Sequence, residues 1–477
     1  MNIEEIKNKL NNGVNPQIIV EDSINKARLY QDSVNAFVTI LDNTKCENEN
    51  GILANIPYSL KDNFSTKGII TTASSNILND YIPPYDSTVY KKLRESGAVL
   101  IGKNTMDELA MGGTGLTAHT GITRNPWDLK RISGGSSSGS AASVSLGIVP
   151  FSIGSDTGDS IRKPASYTGC VGFKPTYGRI SRFGLFPFAS SLDHVGVLTR
   201  NVHDAALVTD VLKGQDKYDM TTLPDENINY VDNLNNDITN KKLFYIKEIV
   251  DYNNAKTEET KEILDKFYEM VNKLRNQGIS VEEVSFDKKL LECLFPTYFI
   301  ISCAEATSNN SNLTGLIFGN KVNGNTSEEI MFNTRTNGFS EMIKRRFVIG
   351  SYILQKENQE RLFINAKRVR NLVVTKVNEL FKTYDALILP ASGETAPLIE
   401  SVDVKDKLSD EYLILENHLV IGNFGGYPSI TLPFMQINKM PVGINITCMS
   451  KNDSLCLNIA KKVEDLTGLK DLKCEVK

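Results

Sequence analysis

The sequence predicts an α/β fold around a buried sheet, because short apolar runs alternate with segments of helical periodicity along most of the chain. From residue 56 onward the apolar runs are strand-length and bounded by glycine or polar residues. Strands separated by helices need crossover connections, which favours a largely parallel sheet covered by helices. The length of 477 residues allows a large core.

The elements follow in chain order. Asn15-Pro16 supplies a helix cap and a first-turn proline, so the chain should begin with helices. A long helical region is expected at about 339–384, and a last helix from Ser454. Strands are expected at 36–40, 56–60, 98–102, 149–154, 242–246, 386–390, 429–433 and 442–447.

These elements divide the chain into four expected segments. Residues 1–55 should form a helical segment packed on the core, and residues 56–210 should hold the glycine-rich loops that carry the chemistry. Residues 211–241 are rich in Asp and Asn and are expected to be a polar surface connection or insertion. Residues 242–477 should complete the α/β core.

Composition excludes several classes of protein. Hydrophobic residues make up 40% and charged residues 23%, which is ordinary globular usage and argues against disorder or a disulfide scaffold. The balance of 53 basic and 57 acidic residues gives a net charge of −4, so bulk charge does not indicate a nucleic-acid binder.

Cysteine usage and hydropathy indicate the compartment. Seven widely spaced cysteines form neither a disulfide framework nor a metal-ligand pattern, and we expect reduced, mostly buried thiols. The N-terminus has no apolar signal core, and no run reaches the roughly 20 apolar residues of a membrane span. The sequence therefore predicts a soluble, cytoplasmic protein with no bound metal.

Lys61 is the first candidate for chemistry because it ends a strand-like apolar run. Most lysines are solvated and carry no chemical role. A lysine at the end of a buried strand can be desolvated, however, which lowers its pKa toward the neutral form that accepts a proton.

Two glycine- and serine-rich segments, 133–142 and 154–165, are the second and third candidates. The first could be a flexible surface loop, but the nearby Trp127 and the small-residue helix after it suggest a packed one. The second could be a structural turn. Its successive backbone N–H groups could also point into one concavity that suits an anion or the oxyanion of acyl transfer.

A literal motif offers a competing interpretation, because residues 135–139 match the G-x-S-x-G nucleophile elbow. That elbow needs a preceding buried strand, and residues 125–132 look like a loop. A serine triad also needs a histidine. The four candidates have undistinctive surroundings: His119, His194, His203 and His418.

Four segments together resemble the amidase signature family, hydrolases with a Ser-cisSer-Lys triad. They read IPYSLKDN, TRNPWDLKRISGGSSSGSAAS, GSDTGDSIRKPA and GFKPTYGRISRFGLFPFASSLDHVG, and the resemblance is densest over residues 56–210. It implies an α/β amidase signature fold, with a large mixed central sheet covered by helices on both faces.

The resemblance also implies roles for particular residues. Lys61 corresponds to the base, Ser136 to the middle serine, preceded by a cis peptide, and Ser160 to the nucleophile. The backbone N–H groups expected to form the oxyanion hole are those of Thr157, Gly158, Asp159 and Ser160.

Within the family, the resemblance is greatest to the glutaminase subunits of tRNA-dependent amidotransferases. It implies that free glutamine is the substrate, with Arg346 and Glu416 binding its charged groups and Tyr298 contributing a hydroxyl. Ammonia would pass to a B subunit supported by a C subunit. The B subunit would use ATP and magnesium and contact most of the tRNA. This chain has no GxxxxGK[ST] phosphate-binding signature and should hold no cofactor.

Three residues depart from the family pattern. Glu416 stands where aspartate is usual, and Ser138 and Asp159 stand where glycine is usual. An anion at Asp159 would oppose oxyanion formation, so we expect its carboxylate to point away, toward Arg162 or a backbone donor. Two alternatives stay open: a stand-alone amidase for other small amides, and a scaffold subunit whose catalysis Asp159 has impaired.

Overall fold

An eleven-stranded mixed sheet forms the centre of the protein, in the order β1-β3-β2-β6-β8-β7-β12-β13-β11-β9-β10. The computed structural model describes residues 1–224, 227–402 and 417–474. The strands are β1 Phe37–Ile40, β2 Pro57–Lys61, β3 Val99–Asn104, β4 Arg124–Asn125, β5 Asp128–Ile132, β6 Phe151–Asp156, β7 Val171–Lys174, β8 His194–Thr199, β9 Lys242–Ile246, β10 Ser280–Val284, β11 Ala386–Pro390, β12 Ser429–Ile437 and β13 Met440–Cys448.

The sheet confirms the α/β class and the mixed sheet implied by the resemblance, but the expectation of a largely parallel sheet was wrong. Four strand pairs are parallel: β2 with β3, β2 with β6, β9 with β10 and β9 with β11. The other six pairs are antiparallel. Antiparallel partners need only short connections, such as the one between β12 and β13, and apolar runs do not reveal strand direction.

Helices surround the sheet, and several begin at a side-chain cap. Asn2, Asn15, Ser87, Asn201 and Thr257 each accept a hydrogen bond from the first turn of the helix that follows. The helices are α1 Ile3–Asn11, α2 Pro16–Val34, α3 Thr88–Glu95, α4 Ser138–Ser145, α5 Arg162–Thr168, α6 Val202–Leu212, α7 Glu258–Asn276, α8 Lys288–Glu292, α9 Leu294–Asn309, α10 Ser327–Gly338, α11 Glu341–Leu354, α12 Lys356–Gln359, α13 Asn365–Leu380, α14 Ile421–Phe424 and α15 Asp453–Thr467.

The sheet joins distant parts of the chain. Residues 1–55 supply β1 at one edge, residues 56–210 supply the next five strands, and residues 242–477 supply the last five. The junction is the antiparallel pairing of β7 with β12, where Phe173 lies opposite Ile430. Helix α5 packs across β7, β12 and β13, so the segment that follows Ser160 contacts both halves of the sheet.

One local expectation was wrong. Residues 125–132, which look like a loop in the sequence, form most of the β4–β5 hairpin. A short polar hairpin has no clear periodic signal, because it alters few apolar positions. The expected long helical region at about 339–384 is confirmed, as the consecutive helices α11, α12 and α13 with a π-helical turn at Glu360–Ile364.

The seven cysteines form no disulfide with one another, and five of them are buried, in agreement with the expected buried thiols. Within the described ranges there is no group of three or more His, Cys, Asp or Glu side chains that could hold a metal ion. The helical stretch Lys288–Asn309 has the length and composition of a membrane span, but 44% of its apolar window is buried inside the protein.

Candidate active site

Lys61 lies at the carboxyl end of β2, and its side chain is fully buried in the sheet interior. Its Nζ is 2.8 Å from Ser136 Oγ, 2.9 Å from Ser155 Oγ and 3.2 Å from the Ser155 carbonyl oxygen. Burial lowers the pKa of Lys61 to about 7. The amine can therefore be neutral near neutral pH while it touches a serine hydroxyl.

Three carboxylates oppose this effect of burial and raise the pKa of Lys61: Asp107, Asp156 and Asp193. Burial acts to raise the pKa of Asp156, but Arg162, whose Nη2 lies 3.0 Å from Asp156 Oδ1, holds it well below its usual range. Burial raises the pKa of Asp193 to about 6, against the stabilising hydrogen bond from Thr157 Oγ1.

The Ser133–Ala142 segment is a buried, tightly packed loop and not a flexible one. Ser136, Ser137 and Ser138 are all fully buried, and the peptide between Gly135 and Ser136 is cis. Gly135 admits no side chain, because a Cβ there would lie 1.9 Å from Asp107 Oδ2. Close packing thus sets the position of the hydroxyl beside Lys61.

Ser160 lies in the turn between β6 and α5, beside the Ser136 loop. The Ser137 N–H donates to the Ser160 carbonyl at 3.2 Å, which ties the two segments together. Among the described contacts there is no hydrogen bond between the hydroxyls of Ser136 and Ser160. The second link of a proton relay therefore has to form during the reaction, as catalytic hydrogen bonds often do.

The turn that carries Ser160 has unused backbone donors. In the described part of the chain, the N–H groups of Thr157, Gly158 and Ser160 have no protein acceptor. The next N–H along the chain, that of Ile161, donates a hydrogen bond to Asp156 Oδ2 at 2.9 Å. N–H groups without an acceptor in the turn of a serine are available to bind an oxyanion.

Tyr298 lies at the same turn, although it is distant in sequence, and Arg346 acts on it electrostatically. Tyr298, on α9, packs against Gly158: a Cβ on that glycine would lie 3.2 Å from the tyrosine hydroxyl oxygen. Burial raises the pKa of Tyr298, Arg346 acts to lower it and Asp159 to raise it, so both charges are near the ring. Tyr298 thus remains a protonated hydroxyl.

Arg346, on α11, is half-buried, and its guanidinium lies near two aromatic rings. Its Cζ is 5.2 Å from the ring centre of Phe299 and 5.8 Å from that of Phe188. Its Nη1 is buried and makes no hydrogen bond within the described residues. A buried guanidinium nitrogen with no acceptor can take a ligand carboxylate.

Two further expectations from the sequence concern Glu416 and Asp159. Glu416 lies outside the described residues. The expected contact of Asp159 with Arg162 stays a prediction, but the Arg162 guanidinium is already engaged by Asp156, Asn423 and the carbonyl oxygens of Gly158 and Leu419.

Sequence reasoning missed the polar residues that support Lys61. Ser155 accepts from both Lys61 and Asn63, whose Nδ2 is 3.0 Å from Ser155 Oγ. Asp107 reaches the site from the turn after β3. Ser155 and Asn63 adjoin motif residues and could have been found by strand alternation, whereas nothing in the local sequence marks Asp107.

The competing serine-histidine interpretation does not fit the contacts of its serine. Ser137 Oγ donates to the Ser155 carbonyl oxygen at 3.1 Å. His194 Nδ1 is engaged by the Leu192 carbonyl oxygen at 2.6 Å, and its burial lowers its pKa well below the usual value. The nearby histidine is therefore neutral and bound elsewhere.

The site has a buried lysine that is hydrogen-bonded to a serine after a cis peptide, and a second serine lies beside it in a turn rich in N–H donors. This arrangement is that of an amidohydrolase site without histidine. The family model described as Amidase matches residues 19–457. The chain belongs to the amidase signature family, whose members are amidohydrolases with a Ser-cisSer-Lys triad.

Known relatives narrow the comparison. The chain is 36% identical to the A subunit of glutamyl-tRNA(Gln) amidotransferase from Sulfolobus acidocaldarius, over 99% of this chain and 100% of the relative. It is 38% identical to the protein of the same name from Halothermothrix orenii, over 96% and 95%. The crystal structure of the corresponding Thermotoga maritima protein superposes with a TM-score of 0.81 at 34% identity, covering 97% of this chain and 94% of that one.

Proposed function

We propose that this chain is the glutamine-hydrolysing A subunit of a glutamyl-tRNA(Gln) amidotransferase. The observation that carries the proposal is the fully buried Lys61, 2.8 Å from Ser136 and beside the donor-rich turn of Ser160. Near-full-length similarity to proteins of that name supports the substrate and the pathway.

The proposed reaction begins when neutral Lys61 takes a proton from the Ser136 hydroxyl, which in turn takes the proton of Ser160. Ser160 Oγ attacks the side-chain amide carbon of glutamine. The new oxyanion accepts hydrogen bonds from the N–H groups of residues 157–160. The relay then returns a proton to the nitrogen, ammonia leaves, and an acyl-enzyme remains.

Deacylation uses the same groups in reverse. Water attacks the ester carbonyl and gives its proton through Ser136 to Lys61. Collapse of the second tetrahedral intermediate breaks the bond to Ser160 Oγ, which is reprotonated as glutamate leaves. Each turnover consumes glutamine and water and releases glutamate and ammonia, so atoms and protons balance.

Recognition of a free amino acid is assigned to Arg346 and Tyr298, with Glu416 proposed for the ammonium group. The buried, unpartnered Nη1 of Arg346 would take the carboxylate. The rings of Phe188 and Phe299 lie within cation–π distance of the guanidinium and would help to hold it in place for that contact. A neutral aliphatic amide has no carboxylate that could bind to Arg346 Nη1.

The released ammonia would be used by a partner. In the proposed complex, a B subunit binds ATP, magnesium and the tRNA, and a C subunit supports the assembly, in the cytoplasm. Whether the product pathway is glutaminyl- or asparaginyl-tRNA depends on the partner. The chain's net charge of −4 is consistent with tRNA being held mainly elsewhere.

Glutamate release tests the proposal. It is measured for the chain alone and with B and C subunits, for wild type, Ser160→Ala and the exposed control Ser327→Ala. We expect Ser160→Ala to reduce release by at least about 10³-fold in the complex and the control to be unchanged. Wild-type release by Ser160→Ala would remove the nucleophile assignment.

Substrate comparison separates this function from a stand-alone amidase. The wild-type complex should prefer glutamine over a neutral aliphatic amide, and Arg346→Lys should lose most of that preference, because lysine cannot reproduce the guanidinium fork. Equal activity on both amides would favour the stand-alone amidase. No activity in the full complex would favour the scaffold.

A further inference from the structure

The carboxylate of Asp107 is completely buried in the turn after β3, yet within the described ranges it takes part in no ion pair. Its Oδ2 accepts from the N–H groups of Thr114 and Gly115 at 3.0 Å, and its Oδ1 accepts from the Thr117 hydroxyl at 2.7 Å. Oδ1 also accepts from the Thr117 N–H at 3.2 Å. Hydrogen-bond donors of this kind are what a buried carboxyl group needs in place of water.

Asp107 contacts the chain on both sides of the relay serine, at Gly135 before it and at the Ser136 carbonyl after it. Its N–H donates to the Ser136 carbonyl oxygen at 3.2 Å. Its Oδ2 lies against Gly135, where it occupies the space of the missing side chain. If Asp107 moved, the Ser136 hydroxyl would move with it. That hydroxyl must stay within hydrogen-bond distance of Lys61 to exchange a proton with it.

Asp107 is one of three carboxyl groups that act on Lys61. Asp156, at the end of β6, is paired with Arg162. Asp193 lies just before β8, and burial raises its pKa to about 6. Of the three, Asp107 has the largest effect in raising the pKa of Lys61.

We propose that Asp107 is a positioning residue for the Lys61–Ser136 pair. It fixes the serine through its main chain and its contact with Gly135, and its charge stabilises the lysine ammonium that forms when the relay accepts a proton. This inference rests on the proposed hydrolysis, because only proton transfer gives that charge a catalytic effect.

The test removes the charge and keeps the shape, with Asp107→Asn. A matched control is Glu108→Gln, which neutralises the neighbouring buried carboxyl, bonded to Ser75 and Ser340 and not among the groups that act on Lys61. Two pH profiles are measured: kcat/KM for glutamine in the full complex, and the rate at which an aryl sulfonyl fluoride labels Ser160, followed by mass spectrometry.

Labelling reads the reactivity of Ser160 without requiring glutamine recognition. In Asp107→Asn we expect the acidic limb of both profiles to move to lower pH by about 1 unit, because Lys61 loses its proton more easily. The maximal rate should fall, because Lys61 is then a weaker base and Ser136 is held less firmly. In Glu108→Gln the limb should stay in place.

The outcomes separate the two claims. A wild-type chain that is labelled at Ser160 but does not hydrolyse glutamine contradicts the proposed function and leaves the labelling test of Asp107 intact. An unmoved limb in folded Asp107→Asn, or an equal shift in Glu108→Gln, overturns the role of Asp107.

A second variant covers the case in which Asp107→Asn does not fold. Thr117→Val removes the 2.7 Å donor to Asp107 and leaves the charge. We expect a several-fold lower labelling rate with the acidic limb unmoved. An unchanged rate would show that the position of Asp107 does not matter to Ser160.

Discussion

At the scale of single residues, the proton state of Lys61 controls the proposed activity. Burial lowers the pKa of Lys61 to about 7, so the base is protonated and inactive below that pH and neutral above it. We therefore expect kcat/KM to rise with pH through about 7 and then level off.

Substitution by arginine tests the same residue. Lys61→Arg keeps a cation at this position but cannot be deprotonated, so activity should fall by at least about 10²-fold at every pH. Lys91→Arg, at a lysine that is 60% exposed, is the control and should behave like wild type. Substantial activity in Lys61→Arg would mean that another group is the base.

The sequence points to segments that carry motifs more readily than to the residues that support them. Lys61 is a candidate because it ends an apolar run, and the roles of Ser136 and Ser160 come from the family resemblance; the fold brings these three segments together. Asp107 lies in a turn that nothing in the local sequence marks, and only its tertiary contacts with Gly135 and Ser136 bring it to the site. Tertiary contacts of this kind leave no periodic trace in a sequence.

At the scale of elements, the turn between β6 and α5 has to accept Tyr298 from α9. A Cβ at Gly158 would lie 3.0 Å from two ring carbons of Tyr298, closer than ordinary contact. Gly158→Ala should therefore push the ring into the site and lower kcat/KM by about tenfold, the kinetic equivalent of an overpacking cost of about 1–3 kcal/mol.

A double-mutant cycle attributes this loss to the ring. In a Tyr298→Ala background the added methyl group has space, so Gly158→Ala should cost much less. Gly113→Ala is the matched control, because a Cβ there meets nothing within 4 Å. Equal losses from Gly158→Ala in both backgrounds would show that the turn itself, and not its contact with α9, is disturbed.

The β4–β5 hairpin shows why some elements escape prediction from sequence. It is short, and its apolar side chains do not alternate in the pattern of a half-buried strand. It is anchored instead by polar contacts with α5: Asn125 Nδ2 donates to the Tyr167 carbonyl oxygen and Trp127 Nε1 to that of Thr168, both at 2.8 Å. Trp127 correctly indicated that the following segment 133–142 is packed, but the strands of the hairpin itself were not predicted.

At the scale of the whole molecule, the order of the strands could not be read from the chain. The apolar runs located most strands, whereas the direction of each strand depends on which partner it meets. The antiparallel partners β7 and β12 are about 260 residues apart in sequence, counted from Phe173 and Ile430. Only the family resemblance supplied the mixed sheet.

Arg162 connects the two halves of that sheet through buried polar contacts. From α5 it reaches Asp156 on β6, and it donates to Ser429 Oγ on β12 at 3.3 Å and to Asn423 Oδ1 on α14 at 2.6 Å. Its guanidinium and the Asp156 carboxylate are both fully buried. Breaking such a pair leaves an uncompensated charge in the interior, which costs about 3–5 kcal/mol.

Arg162→Met should therefore lower the free energy of unfolding by that amount at pH 7, measured by urea denaturation. Arg162 holds the pKa of Asp156 well below its usual range, so the wild-type pair stabilises the fold above the unfolded pKa and that contribution is lost as pH falls. In the variant, Asp156 has no such partner and takes up a proton more readily. The loss in free energy of unfolding relative to wild type should therefore narrow as the pH is lowered from 7 toward 5.

Arg28→Met, which breaks an exposed pair with Asp42, is the control and should change stability little at either pH. A deficit in Arg162→Met that stays constant with pH would mean that lost packing, and not the unpaired carboxylate, destabilises the protein.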